Sequence, residues 1–260
     1  MGNLRLRSSD VSKRIIWCDT EGGVRGVPMW DITFIDECKS DAVRAVRFFS
    51  VSSAHKAGRA KLRQFVPMSV YANAIKTCTV YMATHTLERH VWSSGEYTAV
   101  AGSLAEIVQT YLERRKGCVL CAWNMRAHDK LVLERSVGLE TMKGMVLWDA
   151  LPWFRSNYTL PKNTLASSKA GTPRNVFKIP IQGQAHTSLA DAGHLRELIL
   201  RAAYCTSKGT DTTSYQNASR EDMFEAAQRQ IEEQIDVESW VPVQENVWET
   251  DLPDSVKGVI

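Results

Sequence analysis

Apolar residues in this chain fall into short runs whose period switches between two and 3.6 residues. Ile15, Ile16, Trp17 and Cys18 form a compact run closed by Gly22-Gly23, which predicts a strand over residues 14–19. A second strand is predicted over residues 29–36 and a third over 44–51, and hairpin-like connections would make the three a meander. Residues 52–97 show no clear period, and 80–90 suit either a strand or a helix. From Ser103 the spacing of Leu104, Ile107, Val108, Tyr111 and Leu112 is helical, and Gly117 after Arg114-Arg115-Lys116 is a helix stop. Residues 118–123 read as a strand, 130–137 as a helix stopped by Gly138, and 145–148 as another short strand. Residues 156–184 are rich in Ser, Pro, Asn and Gly and read as loop with short helical pieces. From Thr187 a helical face follows, marked by Leu189, Leu195, Leu198, Ile199 and Ala202. The order βββ-α-β-α-β-α predicts an α/β domain with a five-stranded mixed sheet flanked by helices.

The pattern then changes. Residues 207–218 have a linker's composition, and Ser219 with Asp222 three residues on is a helix start. The helix predicted to about Ile235 has a stripe of Phe224, Ala227, Ile231 and Ile235. The chain is therefore divided into a domain over 1–206 (core 14–204), a linker over 207–218, and an acidic C-terminal helix and tail over 219–260. Docking of a protein partner or of a second copy, as a homodimer, is the role expected of that helix. A disordered appendage or a cover for a basic groove are the alternatives.

Charge divides the chain at the same place. The net charge of +3 combines +11 over residues 1–218 with −8 over 219–260. Residues 42–87 and 150–190 contain no acid, and hold Arg44, Arg47, Lys56, Arg59, Lys61, Arg63 and Lys76, then Arg155, Lys162, Lys169, Arg174 and Lys178. A basic body suits a polyanion, although solvated basic residues also serve solubility alone. With 260 residues and 44% hydrophobic content the chain can bury one sizeable core. No apolar run approaches the ~20 residues of a membrane span, so no membrane partner is expected. Residues 1–10 have no apolar segment of a secretory signal. The six cysteines are scattered, which favours a reducing intracellular location, cytoplasmic or nuclear.

Candidate chemistry lies in three short acidic motifs. Strand residues two apart share a face, so Asp19 and Glu21 converge while Cys18 and Thr20 point away. Two carboxylates there repel unless a cation sits between them, and magnesium and manganese prefer such oxygen ligands. Asp129 stands at a helix start just beyond the strand 118–123, where capping the helix is the plainer role. His186 and Asp191 open the late helix, and a neutral histidine with a pKa of about 6.5 is a ready base near pH 7. Helix capping is again the alternative. Cys118 and Cys121 lack a second ligand pair and read as buried strand cysteines rather than a zinc site. Trp17 reads as core. Trp123, Trp148 and Trp153 lie nearer strand ends, within reach of stacking on a base.

Taken together these motifs resemble the DEDDh family of 3′–5′ exonucleases, which includes polymerase proofreading subunits, RNase T and the TREX enzymes. Residues 15–22 (Ile-Ile-Trp-Cys-Asp-Thr-Glu-Gly) resemble its first motif, 123–129 its second and 186–192 its third, and Trp148-Asp149-Ala150-Leu151 is similar to the segment after the second. The step from Asn124 to Asp129 is similar to the TREX branch. Trp123, His128 and Ser188 depart from the family's usual histidine, aromatic residue and alanine. The resemblance covers residues 14–204 and implies an RNase H-like fold, with the fourth and fifth strands parallel to the first. It implies that Asp19, Glu21, Asp129 and Asp191 bind two Mg2+ or Mn2+ ions and that His186 takes the proton of the attacking water. Gly22, Gly23 and Asn124 would lie against the terminal nucleotide. The activity implied is removal of nucleoside 5′-monophosphates from DNA or RNA 3′ ends, single-stranded ends being favoured. A binding or adaptor module with this fold and no catalysis is the competing expectation.

Overall fold

The structure, a computed structural model, describes residues 14–22, 28–37, 43–51, 53, 72, 77, 80–88, 91–93, 96–162, 164–165, 167, 169–180 and 187–235. Strands β1 (Ile15–Glu21), β2 (Asp31–Glu37) and β3 (Arg44–Ser50) form the expected antiparallel meander. The chain continues through β4 (Val80–Glu88), β5 (Val91–Trp92) and β6 (Glu96–Val100) to helix α1 (Leu104–Glu113). Strand β7 (Val119–Ala122), helices α2 (Asp129–Val137) and α3 (Leu139–Lys143), and strand β8 (Val146–Asp149) follow. Helices α4 (Ala150–Asn157), α5 (Pro173–Val176), α6 (Ser188–Lys208) and α7 (Arg220–Glu232) complete the described elements.

The sheet is mixed, with the order β5-β4-β3-β2-β1-β7-β8 and β6 also paired to β4. Strands β7 and β8 run parallel, and β7 runs parallel to β1. The sequence predicts five strands, and among the described residues the sheet has eight. The additional three come from residues 80–100, most of which lie in the stretch without a clear period. Residues 80–88 are strand, pairing with β3 on one side and with β6 on the other. With Val80 and Met82 facing one core and Tyr81 and Ala83 turned to the opposite face, both sides of β4 are apolar, which hides the strand's alternation. Residues 150–157, given no element by the sequence pattern, are helical, with the Asp149 side chain accepting from the Leu151 amide.

Alternation along β1 divides the core into two layers. Ile16 and Cys18 face a cluster with Phe34, Phe48, Val108, Tyr111, Leu112 and Leu133, covered by α1 to α3. Ile15 and Trp17 face the other cluster, with Ala192, Leu195, Leu198 and Ile199 of α6. Helix α6 crosses β1, β2 and β3 and is itself covered by α7. It is therefore buried on nearly every side, and its polar residues need internal partners. Glu37 supplies them. It accepts from Arg196 Nη2 and Nε (2.6 and 2.8 Å), Arg220 Nη2 (2.9 Å) and Trp17 Nε1 (3.0 Å).

Helix α6 extends to Lys208 and ends on Gly209 in the left-handed region, so the first residues of the predicted linker are helical. Ser219 caps α7, its side chain accepting from the Asp222 amide. The stripe of α7 is turned inward, with Phe224, Ala227 and Ile231 joining the cluster around α6. Trp148 and Trp153 donate their indole N–H groups to Gln234 and Gln230, which places both rings under this C-terminal segment. Among the described residues no helix is long and apolar enough to cross a membrane.

Candidate metal centre

The pairing of β1 with β7 ends at Trp17–Cys121, whereas β1 runs on to Glu21 alongside β2. The carboxyl end of β1 is therefore left without a strand partner on the β7 side. The carboxyl ends of the strands are the usual location of a ligand in an open α/β sheet. Asp19 and Glu21 project from this free end of β1 onto the side where α6 lies, and Asp191 stands in the first turn of α6. One carboxylate oxygen from each of Asp19, Glu21 and Asp191 lies within 4.8 Å of the others. All three side chains keep partial solvent exposure.

Asp129 approaches Asp19 from the opposite layer, outside the group of three carboxylates with metal-ligand spacing. It begins α2, is 3% exposed, and its Oδ1 accepts from the amide (3.1 Å) and hydroxyl (2.8 Å) of Thr20. That amide belongs to the stretch of β1 that β7 leaves unpaired, so the split in the sheet and the seat of Asp129 are one feature. Burial raises the Asp129 carboxyl above its ordinary value, opposed by the Thr20 hydroxyl bond and the nearby His128. Burial also holds Asp19 well above the carboxylate range, and the charges of Asp129, Asp191, Glu21 and Asp31 push it further in the same direction. The four motif carboxylates thus share one electrostatic site.

The donor set fits a hard divalent cation. It consists of carboxylate oxygens, which suit magnesium or manganese rather than zinc. Asp191 Oδ1 is buried and makes no hydrogen bond, and His194 Nδ1 lies 3.8 Å from it. Three carboxylates held this close repel one another, and a cation between them would remove that repulsion. Among the described residues this is the one acidic or thiol group with metal-ligand spacing. Cys118 and Cys121 are free and buried, and burial pushes the Cys118 thiol up to about 12, the opposite of a metal-binding thiolate.

The remaining sequence candidates are placed unevenly. Gly22 adopts φ +90°, and a Cβ there would stand 2.4 Å from the Pro28 carbonyl and 2.7 Å from the Trp30 ring, so the turn itself demands glycine. Asn124 lies in the turn after β7, its carbonyl accepting from the His128 amide at 2.9 Å. Asp149 holds the same turn, accepting from the Arg126 amide at 2.9 Å. His186 and Gly23 lie outside the described residues, as does most of the basic stretch 42–87. Within that stretch Arg47 is buried and forms two 2.8 Å bonds to Asp31. Arg174 is buried too, while Arg155, Lys162, Lys169 and Lys178 are exposed.

Thr20, Asp31 and Arg47 belong to the site's surroundings and were not singled out by sequence. For Thr20 a signal existed, since alternation sends it to the face from which α2 approaches. Asp31 and Arg47 stand opposite Phe49 and Thr33 in the ladder, and nothing local marks them as partners. No family model, curated protein or solved structure matches the chain.

Proposed function

We propose that this chain is a metal-dependent 3′–5′ exonuclease with an RNase H-like fold of the DEDDh kind. One observation supports it above the others: Asp19, Glu21 and Asp191, from a strand and a distant helix, converge within 4.8 Å beside the buried Asp129. Each of these four residues was a ligand candidate from its motif alone. The antiparallel meander followed by two parallel strands agrees with the same fold.

In this reading Asp19, Glu21, Asp129 and Asp191 hold two Mg2+ or Mn2+ ions. Such ions lower the pKa of a water and stabilise the negative charge that develops at a phosphodiester. The chain's own residues do the rest. The terminal phosphodiester of a DNA or RNA 3′ end would lie at the carboxyl end of β1, with Gly22, Gly23 and Asn124 near the nucleotide. His186 accepts a proton from the water that attacks phosphorus. The bond to the 3′ oxygen of the preceding nucleotide breaks, that oxygen takes up a proton, and a nucleoside 5′-monophosphate leaves. The exposed Arg155, Lys162, Lys169 and Lys178 favour a polyanionic substrate.

The test is cleavage of 3′-labelled single-stranded DNA and RNA with Mg2+ or Mn2+. Wild-type protein is expected to release mononucleotides and to stop with EDTA. Asp19→Ala and Asp191→Ala are expected to lose at least ~1000-fold in turnover while remaining folded. Binding of these strands without cleavage under either metal would replace the enzyme with an adaptor module.

A further inference from the structure

Helix α6 delivers Asp191 to the acidic centre, so something must set how far it advances and how it is rotated. Its first residue is Ser188, which is fully buried. The Ser188 hydroxyl donates to Asp31 Oδ1 at 2.8 Å, and its amide lies 3.4 Å from Asp31 Oδ2. A serine hydroxyl has a single proton, so with that proton on Asp31 the 2.7 Å contact with Thr33 must run from Thr33 Oγ1 to Ser188 Oγ. Arg47 grips both oxygens of Asp31 at 2.8 Å. The result is a directional chain from Thr33 through Ser188 to Asp31, closed by Arg47. It joins β2 and β3 to the first turn of α6.

Asp31 is an expensive residue in this position. It pairs with Glu21 across the β1–β2 ladder and adds to the repulsion on Asp19. Arg47 offsets that charge, and an aliphatic pair of similar volume would avoid the conflict altogether. What an aliphatic pair could not do is fix Ser188 in one place. Residues three apart on a helix share a face, so anchoring Ser188 on β2 also anchors Asp191 over the end of β1. Packing alone leaves a helix free to slide or turn by fractions of an ångström, and ligand sites tolerate little of that.

We infer that Thr33, Ser188, Asp31 and Arg47 form a positioning strut that holds Asp191 in reach of Asp19 and Glu21. This rests on the metal-centre reading, and Ser188 acts through Asp191 without touching metal or substrate. The test is Mn2+ titration by calorimetry on the full chain, with metal-free melting measured alongside. Ser188→Ala should weaken Mn2+ uptake on the order of 10-fold, the scale seen when a ligand loses its supporting bond. Thr33→Val should weaken it by less, and the double variant should lose no more than Ser188→Ala alone, because both break one chain. Unchanged Mn2+ affinity in Ser188→Ala, or additive losses in the double variant, would overturn the strut. Should Ser188→Ala fail to fold, Thr33→Val decides alone, wild-type affinity again overturning it. Wild-type protein that takes up no Mn2+ overturns the metal centre and this inference together. Wild-type uptake that Asp191→Asn removes and Ser188→Ala preserves overturns only this one.

Discussion

Thr20 gives both its amide and its hydroxyl to a single oxygen of Asp129, at 3.1 and 2.8 Å, across 109 residues of chain. The contact joins the two layers of the domain. Asp19 and Glu21 point to the α6 side of β1, whereas Thr20 between them points to the α2 side and meets Asp129 there. Asp129 can approach Asp19 only because β7 has already parted from β1.

Thr20→Val keeps the shape and removes the hydroxyl donor. Asp129 Oδ1 then keeps one donor in a buried site, a loss of about 1–3 kcal/mol in stability. The Thr20 bond holds the Asp129 carboxyl down, so its pKa should rise further and the acidic limb of the pH–rate profile should move to higher pH. An unshifted limb with turnover like wild type would show that the bond does not tune Asp129.

The raised carboxyls of Asp19 and Asp129 make the metal-free fold sensitive to pH in a definite direction. A folded acid with a raised pKa binds more protons than the unfolded chain above about pH 4, so metal-free stability should fall as pH rises from there. Asp19→Asn removes one of the repelling charges. It should stabilise the EDTA-treated protein at pH 7 while abolishing activity. Mn2+ should raise the melting temperature of wild type, increasingly with pH, and leave Asp19→Asn little changed. Melting curves with EDTA and with Mn2+ across pH 5–8 check both.

His186→Ala should reduce turnover by about 100- to 10,000-fold, the usual worth of a general base. Mn2+ affinity should stay near wild type, since the four carboxylates are intact. A parallel loss of Mn2+ affinity would make His186 a ligand.

Phe224→Ala should cost about 3–5 kcal/mol, as expected for a large side chain buried against α6. Deletion of residues 207–260 should abolish cooperative unfolding, because it also removes Ala226, Ala227 and Ile231 from that cluster. Urea titration of both variants measures this. A truncated chain that melts like wild type would make α7 a detachable helix, available to a partner.

Much of the site could be read from short stretches of chain. The β1 run marked Asp19 and Glu21 as neighbours on one face, and the helical spacing after Thr187 put Asp191 in a first turn. Asp129 was legible as a helix-start carboxylate, but its link to Thr20 was not, because it joins two layers rather than two neighbours in sequence. In sequence Arg47 is one of seven basic residues in the acid-free stretch 42–87. It is buried on Asp31, and a basic residue in a basic stretch looks the same in either setting. Strand β4 is ambiguous in sequence because both its faces are covered, which erases the alternation that identifies a half-exposed strand.

By itself the sequence determined which residues face which side of β1, where α6 starts, and which carboxylates are available for a metal. These follow from backbone periodicity and capping, which act over a few residues. Only the tertiary structure decided that Asp191 meets Asp19 and Glu21, that Asp129 rests on Thr20, and that Ser188 is moored to Asp31. Those relationships depend on which surfaces pack together, with α6 crossing the first three strands and β7 parting from β1. Packing of that kind is a property of the whole core, and no single stretch of the chain encodes it.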